Sequence, residues 1–214
     1  MTRRFGIRLT MCAAVICAIA LSMNVQAQVG KGVLDANKAT EPELLKMPHM
    51  TLPIVKGLIA ARNFKSIVDL NTYLLGAGLT QAQAMEFYTK AFEHVNLNTG
   101  TRAEILLVPG AGNQMAREFA EYRPWTSWAQ FDKEIGKYVG QEATDKLKQY
   151  VFIPIDLNKA TDDAILSIPG IGDRMLREFK EYRPWSSKDQ FDKEIGKYVG
   201  QQETDRLWRF VTIK

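Results

Sequence analysis

SIPGIGDR, Ser167–Arg174, is a Pro-Gly-x-Gly turn between two runs that both read as helix. About sixty residues earlier stands LVPGAGNQ, Leu107–Gln114, and about sixty before that stands KMPHMTLP, Lys46–Pro53. The repetition extends well beyond the turns. The stretch beginning at Val95 matches the stretch beginning at Ile155 almost throughout, and Gln130–Gln141 recurs unchanged as Gln190–Gln201. A more diverged copy starts near Val33, placing Asn37, Pro48 and Arg62 where the second copy has Asn98, Pro109 and Arg123. The expected organisation is a leader at 1–27 and three units, 28–94, 95–154 and 155–214. Units of this size are small for independent cores, so they are expected to pack on one another or to stand as linked marginal domains.

Each unit reads as helices, and the expected fold class is all-α. In the third, Thr161 is a suitable N-cap, with Asp162 and Asp163 at the positive end of the helix dipole. Ile165 and Ile168 give that helix its buried side. Pro169–Gly172 form the turn, and Asp173 is positioned to cap the next helix. There Met175, Leu176, Phe179 and Tyr182 make an apolar stripe. Pro184 ends it. Ser187 and Gln190 have capping-box spacing, as do Ser127 and Gln130. A third helix is expected over 188–198, closed by Gly200, and a fourth over 203–210. The tails YVFI and FVTI read as short extended closers. Arg62, Arg123 and Arg183 read as partners for helix C-termini, and Asn37, Asn98 and Asn158 as organisers of the opening turn.

The N-terminus has a different character. Arg3, Arg4 and Arg8 precede an apolar run from about Met11 to Leu21, which closes on Val25-Gln26-Ala27. That layout predicts a secretory signal peptide cleaved after Ala27 and an exported product, in a bacterial periplasm, with no stable membrane span after cleavage. Both cysteines, Cys12 and Cys17, fall inside it, so the mature chain has no disulfide and no thiolate chemistry. Charge changes too. The whole chain has 28 Lys+Arg against 24 Asp+Glu; without the three leader arginines the mature chain has 25 against 24. The units from Gln28, Val95 and Ile155 hold seven basic and six acidic, seven and seven, and eleven and eleven residues. A nucleic-acid partner must therefore be argued from local placement of charge. His49 and His94 are the only histidines, too few for a metal cluster. No metal or cofactor is expected, and no constellation suggests an enzyme.

The run DLNKATDDAILSIPGIGDRMLREFKEYRPWSSKDQF resembles the helix-hairpin-helix domain of ComEA-like competence (DNA-uptake) proteins. The resemblance covers the third and second units and, weakly, the first. It implies sequence-independent binding of double-stranded DNA through its phosphates. The candidate contacts are Gly170, Ile171, Gly172, Arg174 and Arg177 in the third unit, and Gly110, Ala111, Gly112 and Arg117 in the second. The physical basis is that glycines allow close backbone approach and a helix N-terminus suits a phosphate oxygen. Such contacts are salt-sensitive and carry no base information.

The departures are specific. Gln114 replaces a basic residue in the second unit; the first has His49-Met50-Thr51 and neither glycine; the family's second Gly-x-Gly turn is absent, with YVGQEA and YVGQQE in its place. Asp173 also competes with an anion at its helix. The expected order of contact is third unit, then second, then first. The alternative function is a protein–protein scaffold, with another exported protein as partner. A base-excision enzyme ranks behind both because no base pocket is supplied.

Overall fold

The computed structural model describes Val29 and residues 31–214. The expected leader, the expected cleavage site and both cysteines lie outside the described residues. The first segment runs β1 Leu34–Asp35, α1 Glu41–Leu45, α2 Leu52–Ala61, α3 Ile67–Gly76, α4 Gln81–Tyr88 and β2 Ala91–Phe92. The second runs β3 Val95–Asn96, α5 Arg102–Leu106, α6 Asn113–Glu121, α7 Trp128–Lys148 and β4 Val151–Phe152. The third runs β5 Ile155–Asp156, α8 Asp162–Leu166, α9 Asp173–Glu181, α10 Lys188–Val199, α11 Gln201–Trp208 and β6 Val211–Thr212.

The chain is mostly helical. Its extended tails do more than close the segments: each pairs in parallel with the strand that opened its own segment. β1 joins β2, β3 joins β4 with Val95 opposite Val151, and β5 joins β6 with Ile155 opposite Val211. Two-residue pairs carry too little alternation to be read from sequence. α7 is two helical pieces joined at Gly140, whose φ of 75° and ψ of 167° match the 76° and 166° of Gly200 between α10 and α11. Glycine suits that left-handed position, so the identical blocks bend alike.

Local signals set most helix starts. The Thr101 hydroxyl accepts from the Glu104 amide at 3.2 Å, and Thr161 accepts from Ala164 at 3.3 Å. Ser127 and Ser187 accept from the amides of Gln130 and Gln190. The expected reciprocal arm of the capping box lands one residue earlier: Gln130 accepts from the Thr126 amide and Gln190 from the Ser186 amide. Each Gln amide group also donates to the carbonyl of Tyr122 or Tyr182, tying α7 or α10 to the preceding helix. Asp173 does not cap α9. Gly172 is the N-cap, and Asp173 is the first helical residue. α11 starts at Gln201, two residues before the expected position, because Gly200 ends α10 and caps α11.

The first two segments share one core, in which Leu58, Ile67 and Phe87 meet Val95, Phe119 and Phe131. The third has its own, around Ile165, Phe179, Phe191 and Leu207, and draws in Phe152 from the second. The Phe152 and Phe210 rings lie 4.5 Å apart. Val29 joins that core, and its amide donates to Ser167 Oγ at 3.3 Å. Each large apolar side chain so buried contributes roughly 1.5–3 kcal/mol. Trp125 and Trp185 lie beneath the segments, their indole N–H groups donating to the carbonyls of Phe119 and Phe179 at 2.8 Å.

Two repeated polar residues tie the opening loop of each segment to the end of its second helix. Asn98 pairs through both ends of its amide with the backbone of Trp125, and Asn158 does the same with Trp185. Arg123 donates to the carbonyls of Leu97 and Gly100, and Arg183 to those of Leu157 and Ala160 at 2.7 and 2.8 Å. Arg62 does likewise with Ala36 and Ala39. These arginines therefore latch the opening loop; they do not serve the C-terminus of their own helix. Planar guanidinium geometry suits two carbonyls at once.

Candidate functional site

The three Pro-x-x-x turns have one backbone shape despite their different residues. Gly110 and Gly170 stand at φ 84° and 81°, and His49 takes the equivalent place at φ 64°. That position favours glycine, so His49 carries a local cost. Two residues on, Thr51, Gly112 and Gly172 are the N-caps of α2, α6 and α9, with φ of −105°, −103° and −122°. Those angles are open to any residue, as Thr51 demonstrates. A Cβ added at Gly112 or Gly172 would meet nothing within 4 Å. The second glycine of each turn is thus required neither by backbone conformation nor by packing. Its effect is to leave the first turn of a nine-residue helix bare, where amide N–H groups lack intrahelical partners.

The surroundings of the turns differ. In the second segment Gly110, Gly112 and Arg117 are exposed and Ala111 is half-buried. Arg102 reaches Asn113 at 2.5 Å, adding a guanidinium beside the start of α6. In the third segment Gly172, Arg174 and Arg177 are exposed and Ile171 packs half-buried on the core. The Arg174 guanidinium lies 5.2 Å from the centre of the Tyr198 ring. Among the described residues, neither Arg117 nor Arg177 enters an ion pair. Gly170 is exposed as well, but the space beside it is taken: an added Cβ would stand 2.5 Å from Lys38 Cε of the first segment and 3.3 Å from an Arg206 guanidinium nitrogen. With two glycines in each turn, the second is therefore the less crowded of the two.

Lys38 and Arg206 belong to a clasp between the first and third segments. Arg206 is only 2% exposed. Its guanidinium donates to the Pro169 carbonyl at 2.5 Å and to both Glu203 oxygens at 2.8 Å, and it reaches Asp35 at 3.4 Å. Lys38 donates to Glu203 at 2.9 Å. Asn63 and Gln202 exchange hydrogen bonds, each with backbone of the other segment. Arg209 pairs with buried Glu93, which also accepts from Asn37 at 2.6 Å. Burial pushes the Glu93 carboxyl well above the usual range, to about 8, with Asp35 adding to the rise and Arg209 opposing it. Burial also holds His94 below its ordinary value of 6.5.

These clasp residues were not singled out as functional by sequence reasoning, although a signal exists. α11 matches the end of α7 closely, yet Glu203, Arg206 and Arg209 replace Ala143, Lys146 and Gln149. The spacing of three puts all three changes on one helix face. The repeated QFDKEIGKYVGQ block, by contrast, holds its own charges. Lys137 donates to Glu134 and to the Tyr122 hydroxyl at 2.7 Å, and Lys197 repeats this with Glu194 and Tyr182. Among the described residues no group of three His, Cys, Asp or Glu is placed to hold a metal ion, and no helix is long and apolar enough to cross a membrane. Comparison with protein-family models, with curated proteins and with solved structures finds no match for this chain.

Proposed function

We propose that this protein is an exported, non-catalytic DNA-binding protein built from three helix-hairpin-helix units. In this reading it holds double-stranded DNA by its phosphates without reading sequence, in the service of DNA uptake. One observation carries it. Gly112 and Gly172 occupy backbone conformations open to any residue, with free space beyond, at the N-termini of α6 and α9. A glycine kept where neither conformation nor packing asks for it is what close approach of an external phosphate requires. The second hairpin, with Arg102 and Arg117 and without a crowding lysine, is the principal contact. The third is the lesser one, because Lys38, paired with Glu203, and Arg206 crowd the side-chain position at Gly170, and Asp173 opens α9.

The test is titration of a fluorescent duplex at low and moderate salt, with Gly112→Thr and Gly172→Thr as variants. Thr51 already caps α2 in the same conformation, so threonine keeps the fold while filling the approach. The reading requires binding that weakens as salt rises and weakens further with Gly112→Thr. Absence of binding at low salt overturns it and favours the scaffold alternative, for which the clasp of the first unit on the third hairpin is the supporting observation.

A further inference from the structure

The groove between a hairpin and the last helix of its segment occurs three times and is bridged by charged side chains twice. In the first segment the bridge comes from within, His49 Nε2 meeting Glu86 at 2.8 Å. In the third it is spanned by the loop Leu34–Thr40, which leaves about 210 Å³: Lys38 runs its stem over Gly170 to reach Glu203, and Asp35 faces Arg206. In the second segment the same groove, lined by Pro109, Gly110, Val139, Ala143, Lys146 and Gln149, is open and encloses about 290 Å³. A Cβ at Gly110 would meet nothing within 4 Å, so the space occupied by a lysine stem at Gly170 is free there.

The loop that spans the third groove, LDANKAT, has one close copy in the chain, IDLNKAT at Ile155–Thr161. The second segment's version, VNLNTGT, lacks both the aspartate and the lysine. In the copy both charged groups are in the same local frame. Asp156 Oδ1 accepts from the Asn158 amide at 3.0 Å, as Asp35 Oδ1 accepts from Asn37 at 2.8 Å. Asp156 Oδ2 accepts no hydrogen bond, although its side chain is only 15% exposed; it has only a loose ion pair at 3.4 Å with Lys159, which is itself 76% exposed. No hydrogen bond or ion pair joins this loop to the open groove within one molecule.

We infer that the Ile155–Thr161 loop of one molecule docks in the open groove of a second copy, with Lys159 over Gly110 and Asp156 on Lys146. The intramolecular clasp is the pattern for the contact, and the charges are complementary. Lys146 is held only by Glu142 at 2.7 Å, an exposed i,i+4 pair that exchanges readily. Once released, Glu142 is the neighbouring carboxylate for Lys159. Ala143 stands where the third segment has Glu203, so the contact is weaker than the clasp. It is also heterologous: donor and acceptor are different surfaces, and repetition builds open chains instead of closed dimers. The inference does not rest on DNA binding.

Sedimentation of the purified protein tests it. The weight-average mass should rise steadily between about 10 µM and about 1 mM, without a plateau at the dimer. Asp156→Lys and Lys146→Glu each put like charges face to face and should weaken association at least about ten-fold. An equimolar mixture of the two variants restores opposite charges at every junction and should associate again. A protein that stays monomeric throughout that range overturns the inference. So does association that survives either substitution, or a mixture that remains monomeric.

Discussion

The end of α7 and the whole of α11 follow identical blocks and bend at equivalent glycines, yet they have different neighbours. α11 lies under the first segment, where Arg206 is buried between Asp35, Glu203 and the Pro169 carbonyl. The equivalent Lys146 remains exposed, with Glu142 as its partner. The difference teaches how a duplicated unit acquires a new role. The differences at Gln202, Glu203, Arg206 and Arg209 changed what that face of α11 contacts and left the backbone alone. They also distinguish the two hairpins, since the clasp sets Lys38 beside Gly170 and leaves the space beside Gly110 free.

The sharpest way to break this comparison is to remove the buried cation. Arg206→Met leaves Asp35 and Glu203 without their guanidinium in a closed site, and the loss should be about 3–5 kcal/mol in denaturant unfolding. Lys146→Met at the twin position should change stability by no more than about 0.5 kcal/mol. Equal losses would mean that the clasp contributes nothing particular to the fold.

The pH dependence is next in size. Glu93 keeps its proton in the folded protein up to about 8, whereas the unfolded chain loses it near the ordinary value of 4.5. Between these limits the folded state binds more protons, so this group lowers stability as pH rises. His94, neutral when folded, acts oppositely below 6.5, because there the unfolded chain binds the extra proton. Just below 6.5 the two effects oppose each other. From 6.5 to 8 stability should fall by up to about 1.4 kcal/mol per pH unit. Melting curves across this window should show the decline, and Glu93→Gln should flatten it.

The hairpins themselves supply smaller effects. Gly112→Thr should weaken duplex binding about ten-fold, or about 1.4 kcal/mol, and Gly172→Thr clearly less, because the third hairpin is already partly crowded. A larger effect at Gly172 would restore the order expected from the sequence, third unit before second. Smallest is His49→Gly. It relieves a left-handed non-glycine residue but gives up the contact with Glu86, so the net change should stay within about 1 kcal/mol of zero by thermal unfolding.

Much of this molecule was legible in its residues. The helical class, the Thr and Ser caps and the closing Gly200 all follow from local pattern, because each depends on a few neighbouring residues. The capping-box Gln and the latching Arg were read with the right residues and the wrong partners. Their hydrogen bonds run to backbone whose position depends on how the helices pack. The parallel strand pairs escaped because two residues carry no period.

Sequence alone determined the repeat, the helical class and the shape of the hairpins, since these rest on short-range sterics, capping and the periodicity of apolar residues. Tertiary structure decided which hairpin is open, which arginine is buried and which loop finds a groove. Lys38 reaches Gly170 across more than half the chain, and Asp35 and Arg206 meet across 171 positions. The near copies of that loop and that groove, Ile155–Thr161 and the face around Lys146, have no such partner within one molecule. No local signal separates a charged residue destined for such a contact from one destined for water, because burial depends on the packing of all three segments.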